Sequence, residues 1–499
     1  MEYSFFYDES EHSRRLTKDT LSANNFAENF VASIVGYSDY ISSDVKNDYS
    51  TFEEKYKKAF TVIGELKSTV IRPKKYVSGL CSFRKEDLCF ISDLLDIIIN
   101  HDLFLYICVF SKVEYIIIQL LNSYKNSLLV DADSLKYSIA KLVSLYRPQN
   151  VYESVYRNDD SFIYELKEFL NEIKNENQKG QKREMETSAI DQALILLEDS
   201  SADFSIDWNY KMAFWGFRNY LSEININDYW LIIDREGDGK TLKSAQSEGL
   251  KNCQEDDSVN NEGLRITDFV VGIVSSFLKA IQDSFEPGST KETEKLLFLK
   301  KRWFRIKQEH LDIYKKLKVL IIDQHKTWYK TYSGCYSDNF LYLICILNYF
   351  DSFDDIEKYN KSTAEQHQIN LNSLAVQALN DRFELMKSKL PIEATKIDEE
   401  GAYYNQKGAK CYINYRKHKI LCMNNQGKKY TVLSVGFFGK MEKACITILD
   451  NNTPTCYLLP DELMEWAFSV VAIANCGENI FPSIVEFGIR QGRFYAEIE

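Results

Sequence analysis

Short apolar runs that end on polar residues recur along the first half of the chain. Residues 3–8 (YSFFYD) and 30–38 (FVASIVGYS) are rich in aromatic and β-branched residues, a composition typical of strands. Residues 103–110 (LFLYICVF) are almost continuously apolar, which predicts a strand covered on both faces. Residues 229–234 (YWLIID) form a further apolar run that ends on an acid. Together these runs predict the strands of one α/β sheet.

Helical spacing separates these strands. Apolar residues recur every three to four positions over residues 85–100 and about 266–284, which predicts an amphipathic helix in each segment. Residues 112–225 are mainly helical by pattern, with a polar loop or helix end at 174–188. The polar stretch 247–263 separates the last predicted strand from the helix after it. This order predicts an α/β core interrupted by a large helical insertion.

The hydrophobic pattern predicts two further regions in the remainder of the chain. Residues 286–390 are helical by pattern, with many Lys/Glu pairs on the polar faces. Residues 391–499 alternate or run apolar between turn-forming segments, which predicts a small β-rich domain that contains one helix at 461–474. We therefore expect an α/β domain at 1–285, a helical domain at 286–390 and a β-rich C-terminal domain.

Composition and charge narrow the function classes. The 499 residues carry a net charge of −12, which is unlike a protein that binds nucleic acid mainly through its charge. A nuclease is still compatible with this charge, because bound divalent cations reverse the local charge of an acidic site. The 11 cysteines show neither a C-x-x-C pair nor zinc-ligand spacing, so we expect reduced thiols. With neither a signal peptide nor a membrane-spanning apolar run, we expect a cytoplasmic protein.

Four acidic residues stand out by their positions. Asp8 and Asp234 end predicted strands, Glu65 lies in the segment GELKS, and Asp268 lies near the start of the helix GLRITDFVVG. Strands of one α/β sheet that end on acids bring those acids to one edge of the sheet, where functional sites gather. A site for two divalent cations needs several such carboxylates. We also expect Gly272, one turn after Asp268, to let this helix lie close to the sheet.

Each acid also has a purely structural interpretation. Asp8 and Asp234 could each close a turn after a strand, because Asp side chains bond to nearby backbone N–H groups. Asp268 could be the N-cap of its helix, a position that favours Asp. Glu65 has the weakest local context of the four. The sequence leaves both interpretations open for each residue.

The order of these four segments resembles the bacterial "domain of unknown function 3800" family. Members of that family show a strand ending in D-E-S-G, an E-(L/I/H)-K/H segment, a strand ending in D, and a helix opening L-Q-x-A-D-x-x-x-G. Here they correspond to FFYDES, GELKS, LIIDR and GLRITDFVVG. The resemblance covers residues 1 to about 285. It implies an RNase H-like fold and a metal-dependent nuclease core that binds Mg²⁺ or Mn²⁺ through Asp8, Glu65, Asp234 and Asp268.

Two departures from the family motifs bear on accessory residues. Glu11 stands where the family often has Gly, and Thr267 where it often has Ala. The first departure alters the turn after Asp8, so Glu11 or His12 could also face the metals. His12 is a candidate general acid or base there, although such a histidine is more often solvated. The resemblance also implies possible accessory roles for Glu9 and Lys67.

Two basic segments are candidates for contact with a nucleic-acid backbone. Arg72, Lys74 and Lys75, in RPKK, directly follow the Glu65 motif, and a solvated turn is the alternative. Residues 300–307 (KKRWFRIK) interleave aromatic rings with cations, a pattern that suits base stacking and phosphate contact. The alternative for the second segment is an amphipathic helix that buries Trp303, Phe304 and Ile306.

The sequence thus predicts a Mg²⁺- or Mn²⁺-dependent nuclease acting on DNA or RNA. The helical and C-terminal parts would recognise the substrate or a protein partner. Only the resemblance suggests a role in bacterial host defence. The alternative is a non-catalytic scaffold, in which a nuclease fold serves protein–protein assembly.

Overall fold

The computed structural model describes most of the chain. The described residues are 2–10, 26–71, 73–122, 132–157, 161–180, 184–198, 200–206, 211–235, 239–287, 297–332, 337–387, 394–397, 403–405, 409–411, 419–438, 443–450, 453–475 and 480–499. The fold is mixed α/β with a β-rich C-terminal part, as the sequence predicts. Contacts divide the chain into two compact units, the first formed by residues 1–120, 140–187 and 203–379, and the second by 121–139, 188–202 and 380–499.

The first unit is built on a six-stranded sheet. The strands described in this unit, within the sheet and outside it, are β1 (Tyr3–Ser10), β2 (Asn29–Ser38), β3 (Val77–Leu80), β4 (Phe104–Ser111), β5 (Tyr229–Asp234), β6 (Cys253–Asp256), β7 (Phe285–Pro287), β8 (Leu297–Leu299) and β9 (Thr331–Tyr332). The order in the sheet is β6-β5-β1-β2-β4-β9, while β7 and β8 form a separate hairpin. Strand β2 runs antiparallel to its two neighbours, β1 and β4, whereas β1, β5 and β6 run parallel to one another.

Helices cover both faces of this sheet, and along the chain they lie between many of its strands. The described helices up to residue 387 are α1 (Ser42–Phe60), α2 (Lys85–Asn100), α3 (Lys112–Leu120), α4 (Ala132–Tyr146), α5 (Gln149–Arg157), α6 (Ser161–Gly180), α7 (Glu184–Glu198), α8 (Met212–Glu223), α9 (Lys240–Ser247), α10 (Glu262–Ser284), α11 (Gln308–Lys318), α12 (Asp338–Asp351), α13 (Ile356–Tyr359) and α14 (Ala364–Lys387). Helices α4 and α7 belong partly to each unit.

Helix α10 lies against one face of the sheet, over β1 and β2. A Cβ atom on Gly263 would lie 2.4 Å from Cδ2 of Phe6, so only glycine allows the helix to approach the strand this closely. On the opposite face, Tyr7 packs on Phe214 of α8, with ring centroids 4.8 Å apart. Successive residues of β1 therefore point to different layers, as strand geometry requires.

The second unit is dominated by an antiparallel-rich sheet. Its described strands are β10 (Ala394–Ile397), β11 (Tyr403–Asn405), β12 (Ala409–Cys411), β13 (Lys419–Ile420), β14 (Lys428–Phe438), β15 (Lys443–Asp450), β16 (Thr453–Leu458), β17 (Ser483–Arg490) and β18 (Arg493–Ile498). Helix α15 (Met464–Asn475) buries Ala467, Val470 and Val471 against β14 and β15. The alternating apolar pattern of the last hundred residues thus corresponds to real strands.

Two polar segments can be compared with their predicted structure. Most of 174–188 is helical and forms the end of α6 and the start of α7, so of the two predicted alternatives the helix end is correct. Its Lys, Glu and Gln residues have high helix propensity even without an apolar face. The polar stretch 247–263 contains β6, which pairs with β5 at the edge of the sheet. An edge strand is held by backbone hydrogen bonds on one side only and need not be apolar.

Candidate carboxylate site

Strands β1 and β5 bring Asp8 and Asp234 next to each other. The parallel register pairs Phe6 with Ile232 and Tyr7 with Ile233, so the two acids follow at the next position of each strand. Phe6 and Ile232, two residues before the acids, both lie in the apolar core that α10 covers. Since side chains alternate along a strand, both carboxylates project to that same face.

Asp268 reaches the site from α10. The N-cap of α10 is Asn261, whose Oδ1 accepts hydrogen bonds from the N–H groups of Gly263 (3.1 Å) and Leu264 (3.4 Å). Asp268 therefore lies in the second turn of the helix, and the N-cap interpretation of this residue is wrong. Its carboxylate instead accepts from the Ser68 N–H (2.8 Å) and the Ser68 hydroxyl (2.7 Å), and so holds the segment that carries Glu65.

The segment from 61 to 71 lies over α10 rather than in the sheet. Helix α1 ends at Thr61, which has a left-handed φ of 54°. A Cβ atom on Gly272 would lie 2.6 Å from Cβ of Ser68, so this glycine makes room for the 61–71 segment. The expectation that Gly272 brings the helix close to the sheet is therefore wrong, since Gly263 has that role.

Glu65 and Lys67 project from this segment as an ion pair. Lys67 Nζ lies 3.3 Å from Glu65 Oε2, with the Glu65 side chain 13% exposed and the Lys67 side chain 58% exposed. Burial opposes the charge on Lys67, but the carboxylates of Glu65, Asp268 and Asp234 outweigh it and raise the Lys67 pKa. Lys67 is thus a counter-charge to these three acids.

The acids influence one another strongly. Burial, the charge of Asp268 and, to a smaller extent, that of Asp234 raise the pKa of Asp8 well above its usual value. Burial also raises the pKa of Asp268 against the opposing hydrogen bonds from Ser68, and Glu65 contributes in the same direction. The pKa of Asp234 is likewise raised, mainly by burial. Excess negative charge is concentrated here, which is typical of functional sites.

The donor set is chemically suited to a hard divalent cation. Carboxylate oxygens are the ligands that Mg²⁺ prefers, and a cation would relieve the repulsion between these acids. Within the described ranges, no group of three or more His, Cys, Asp and Glu side chains could hold a metal ion as it stands. Glu65 is paired with Lys67, and both oxygens of Asp268 are bonded to Ser68.

Two further residues complete the surroundings of the cluster. Arg265, one turn before Asp268, donates to the carbonyl oxygens of Ser258 (2.9 Å) and Val259 (2.8 Å) and lies 3.8 Å from Glu53 of α1. The Leu66 N–H also donates to Glu53, at 3.5 Å. Arg265 and Glu53 therefore tie α1, the 61–71 segment and α10 together. Sequence reasoning missed both residues, although the spacing of Arg265 and Asp268 on one helical face is a usable signal.

The predicted accessory residues have different surroundings. Glu9 is buried on the face of β1 opposite Asp8, where its Oε2 accepts from the Tyr7 hydroxyl at 2.5 Å. Lys74 is exposed, whereas Lys75 is paired with Asp87 at 2.7 Å. Glu11, His12 and Arg72 lie outside the described residues.

The second basic segment has its aromatic rings in the core. Trp303, Phe304 and Ile306 are all buried, in and after a single 3₁₀ turn (Lys301–Phe304). The rings are therefore closed to base stacking, and the alternative that places these residues in the core is correct, although the segment is a 3₁₀ turn rather than an amphipathic helix.

The raised pKa of Asp8 predicts a pH-dependent gain in stability for Asp8→Asn. Below the usual pKa of 3.8 the carboxyl is protonated in both states. As the pH rises above that value, the unfolded chain releases the proton first, so the folded wild type loses stability up to its own pKa. We expect metal-free Asp8→Asn to be more stable than the wild type at pH 7.5 and equally stable near pH 4.

Urea unfolding in EDTA across this pH range measures the difference. Asp283→Asn is the control, since Asp283 lies on the surface of α10, paired with Lys279. Equal stability of Asp8→Asn and the wild type at pH 7.5 would show that ionised Asp8 does not destabilise the metal-free folded protein.

Three comparisons with known proteins give no match for this chain. The sequence matches no protein-family model, and searches of curated proteins and of solved structures find no significant similarity. Among the described residues, no helix has the length and apolar character needed to cross a membrane.

Proposed function

We propose that the chain is a Mg²⁺- or Mn²⁺-dependent nuclease with an RNase H-like core. The observation that carries the proposal is the meeting of Asp8, Glu65, Asp234 and Asp268, whose charges influence one another although they come from four separate segments. Structural ion pairs alone give no reason to collect three carboxylates around one lysine with a fourth, Asp8, beside two of them.

The topology of the sheet supports the RNase H-like part of the proposal. The order β4-β2-β1-β5-β6, with β2 antiparallel to β1 and β4 and with β5 and β6 parallel to β1, is the arrangement typical of that fold. The central strand carries the first acid, and α10, which follows the last strand of the set, carries the fourth. Strand β9 and the segment with β3 and α2 are additions to this arrangement.

The residues of the cluster would have different roles in cation binding and substrate contact. Asp8, Asp234, Asp268 and Glu65 would hold the cations, which when bound activate water and stabilise charge on the phosphodiester. Asp8 and Asp234 are fixed by the paired strands, and Ser68 orients Asp268. Lys67 is exposed and flexible enough to exchange its carboxylate partners for a phosphate when cations enter.

Three further assignments belong to this proposal. DNA or RNA would be the substrate, with exposed Lys74 as a contact to its backbone. The β-rich second unit would bind a protein partner. A cytoplasmic role in bacterial host defence follows from the family resemblance alone.

The direct test is cleavage of labelled single-stranded and duplex DNA, RNA and a DNA–RNA hybrid by the full chain. We expect cleavage of at least one substrate with Mg²⁺ or Mn²⁺ and none with EDTA. Titration with Mn²⁺, followed by electron paramagnetic resonance, reports on the metal independently of the substrate. Neither cleavage nor Mn²⁺ binding would overturn the proposal and favour the scaffold alternative.

A further inference from the structure

A cavity of about 520 Å³ lies in the first unit, at the C-terminal end of α10. It is formed where β2 begins and β4 ends, and α4, α12 and α14 supply its other walls. This volume is in the range of small-molecule sites. Gln282 lines the cavity and lies fourteen residues after Asp268, about 21 Å along the helix, so the cavity is distinct from the carboxylate site.

The side chain of Asn372, on α14, presents an unpaired amide to this cavity. The residue lines the cavity and is only 6% exposed. Its amide oxygen and nitrogen nevertheless keep some exposed surface, and neither bonds to any residue that the structure describes. Since the rest of the residue is buried, these two atoms face the cavity. They offer one acceptor and two N–H donors to a ligand.

Two more amides on other walls have groups that a ligand can reach. Asn339, on α12, is half-buried, and its side chain makes no hydrogen bond within the described parts of the chain. Gln282, on α10, accepts from the Glu28 N–H at 3.4 Å through Oε1, which leaves its Nε2 group to donate elsewhere. Neutral donors and acceptors thus face the cavity from three separate helices.

The charged groups of the cavity are paired with one another. Lys141 Nζ lies 2.5 Å from Glu114 Oε1 and 2.7 Å from Asp338 Oδ1, and Arg147 lies 3.1 Å from Glu28. Three carboxylates therefore accompany two cations, and an anionic ligand would meet excess negative charge. Oδ2 of Asp338, whose side chain is 42% exposed, has no partner among the described residues and is an open acceptor.

Other unpaired polar atoms near the cavity cannot be reached by a ligand. Glu114 Oε2, Asn29 Nδ2 and the Tyr342 hydroxyl lack a partner in the described protein, but they have essentially no exposed surface. Recognition of a ligand therefore depends on the three amides and on Asp338.

Apolar side chains lie between these polar groups. Leu145, Phe285, Val376 and Leu379 line the cavity, and Leu145 and Val376 are 46% and 38% exposed, which places them at its rim. A ligand that fits must therefore have apolar faces as well as polar groups around its edge.

We infer that this cavity binds a neutral mono- or disaccharide. Each hydroxyl of a sugar is both a donor and an acceptor, as is each amide, so hydroxyls would bond in both directions with Asn372 and Asn339. Asp338 would accept from a further hydroxyl, and the C–H faces of the sugar ring would pack on Phe285. Polar groups on three walls suit hydroxyls around a whole ring better than a flat heterocycle with one polar edge.

Isothermal titration of the full chain with glucose, galactose, mannose, ribose, maltose and sucrose tests the inference. The titrations are run in EDTA, so that their result is independent of any nuclease activity. We expect at least one sugar to bind with a Kd in the micromolar range. Adenosine, a flat heterocycle with a sugar, and putrescine, a diamine, should bind more weakly than that sugar.

Two matched variants of α14 locate the site. Asn372→Leu keeps the side-chain volume but removes a donor and an acceptor, so it should weaken sugar binding about tenfold. Its thermal stability should not fall, because the amide bonds to no described residue, whereas a structural role of this amide predicts a loss of stability. Gln377→Leu, on an exposed position of the same helix outside the cavity, should leave affinity unchanged.

Three results would overturn the inference. They are no sugar binding at millimolar concentration, equal affinity of the two variants for the sugar, or tighter binding of adenosine or putrescine than of every sugar.

Discussion

Asp8→Asn is expected to lower phosphodiester cleavage about 100- to 1000-fold while leaving the protein folded. Cation stabilisation of the developing charge is worth several kcal/mol, and each 1.4 kcal/mol is a factor of ten in rate. Asparagine keeps the shape of the side chain and the carbonyl oxygen that accepts the Glu9 N–H at 2.8 Å, but it removes the negative charge. The variant should therefore lose activity without losing structure.

Two measurements separate this outcome from simple damage to the fold. Activity is compared with Mn²⁺ affinity and with urea stability in the same preparation, using Asp283→Asn as the control. An inactive Asp8→Asn that binds Mn²⁺ weakly and is more stable without metal fits a ligand role. Full activity in Asp8→Asn would exclude Asp8 from the cation site, and cleavage would have to be assigned to another centre.

Trp303→Ala is expected to destabilise the first unit by about 3–5 kcal/mol, the usual cost of removing a buried aromatic side chain. Trp303 is fully buried in the core that joins α2, α10 and α11 to the sheet. Its indole also covers Gly79, where a Cβ atom would lie 2.6 Å from Cε3 of the ring. Truncation would leave a large cavity between these elements.

Trp328 is the matched control because its side chain is 54% exposed. Urea unfolding followed by circular dichroism should show a change within about 0.5 kcal/mol for Trp328→Ala. A nucleic-acid stacking role for Trp303 predicts the reverse pattern, namely normal stability with weaker binding of single strands. Equal, small stability changes in the two variants would contradict the buried position.

Much of the fold could be predicted from residue patterns because burial constrains the side chains. Strands β1, β2, β4 and β5 each show an apolar run, since their faces are covered by helices. Strand β6, with the sequence CQED, could not be recognised, because an edge strand is held mainly through backbone hydrogen bonds to β5. The pattern of side chains carries little information about such a strand.

The candidate site, too, could be predicted from the sequence only in part. Local sequence placed Asp8 and Asp234 at strand ends and Asp268 near the beginning of an amphipathic helix. Whether Asp268 was a cap depended on Asn261 seven residues earlier, since Asn is also a strong N-cap and the preceding polar stretch offered several starting points. Local propensity alone could not choose among them.

By itself, the sequence determined where the apolar strands and the apolar helix faces lie and that the C-terminal part is β-rich, although β1 continues past Asp8 to Ser10. These properties depend on neighbours within a few positions along the chain. Only the tertiary structure decided that Ser68 bonds to Asp268, 200 residues away, and that Lys67 lies among the acids. It also decided that Glu114 and Asn29 line one cavity. Such contacts depend on strand register and helix packing, because residues far apart in sequence meet only once the chain has folded.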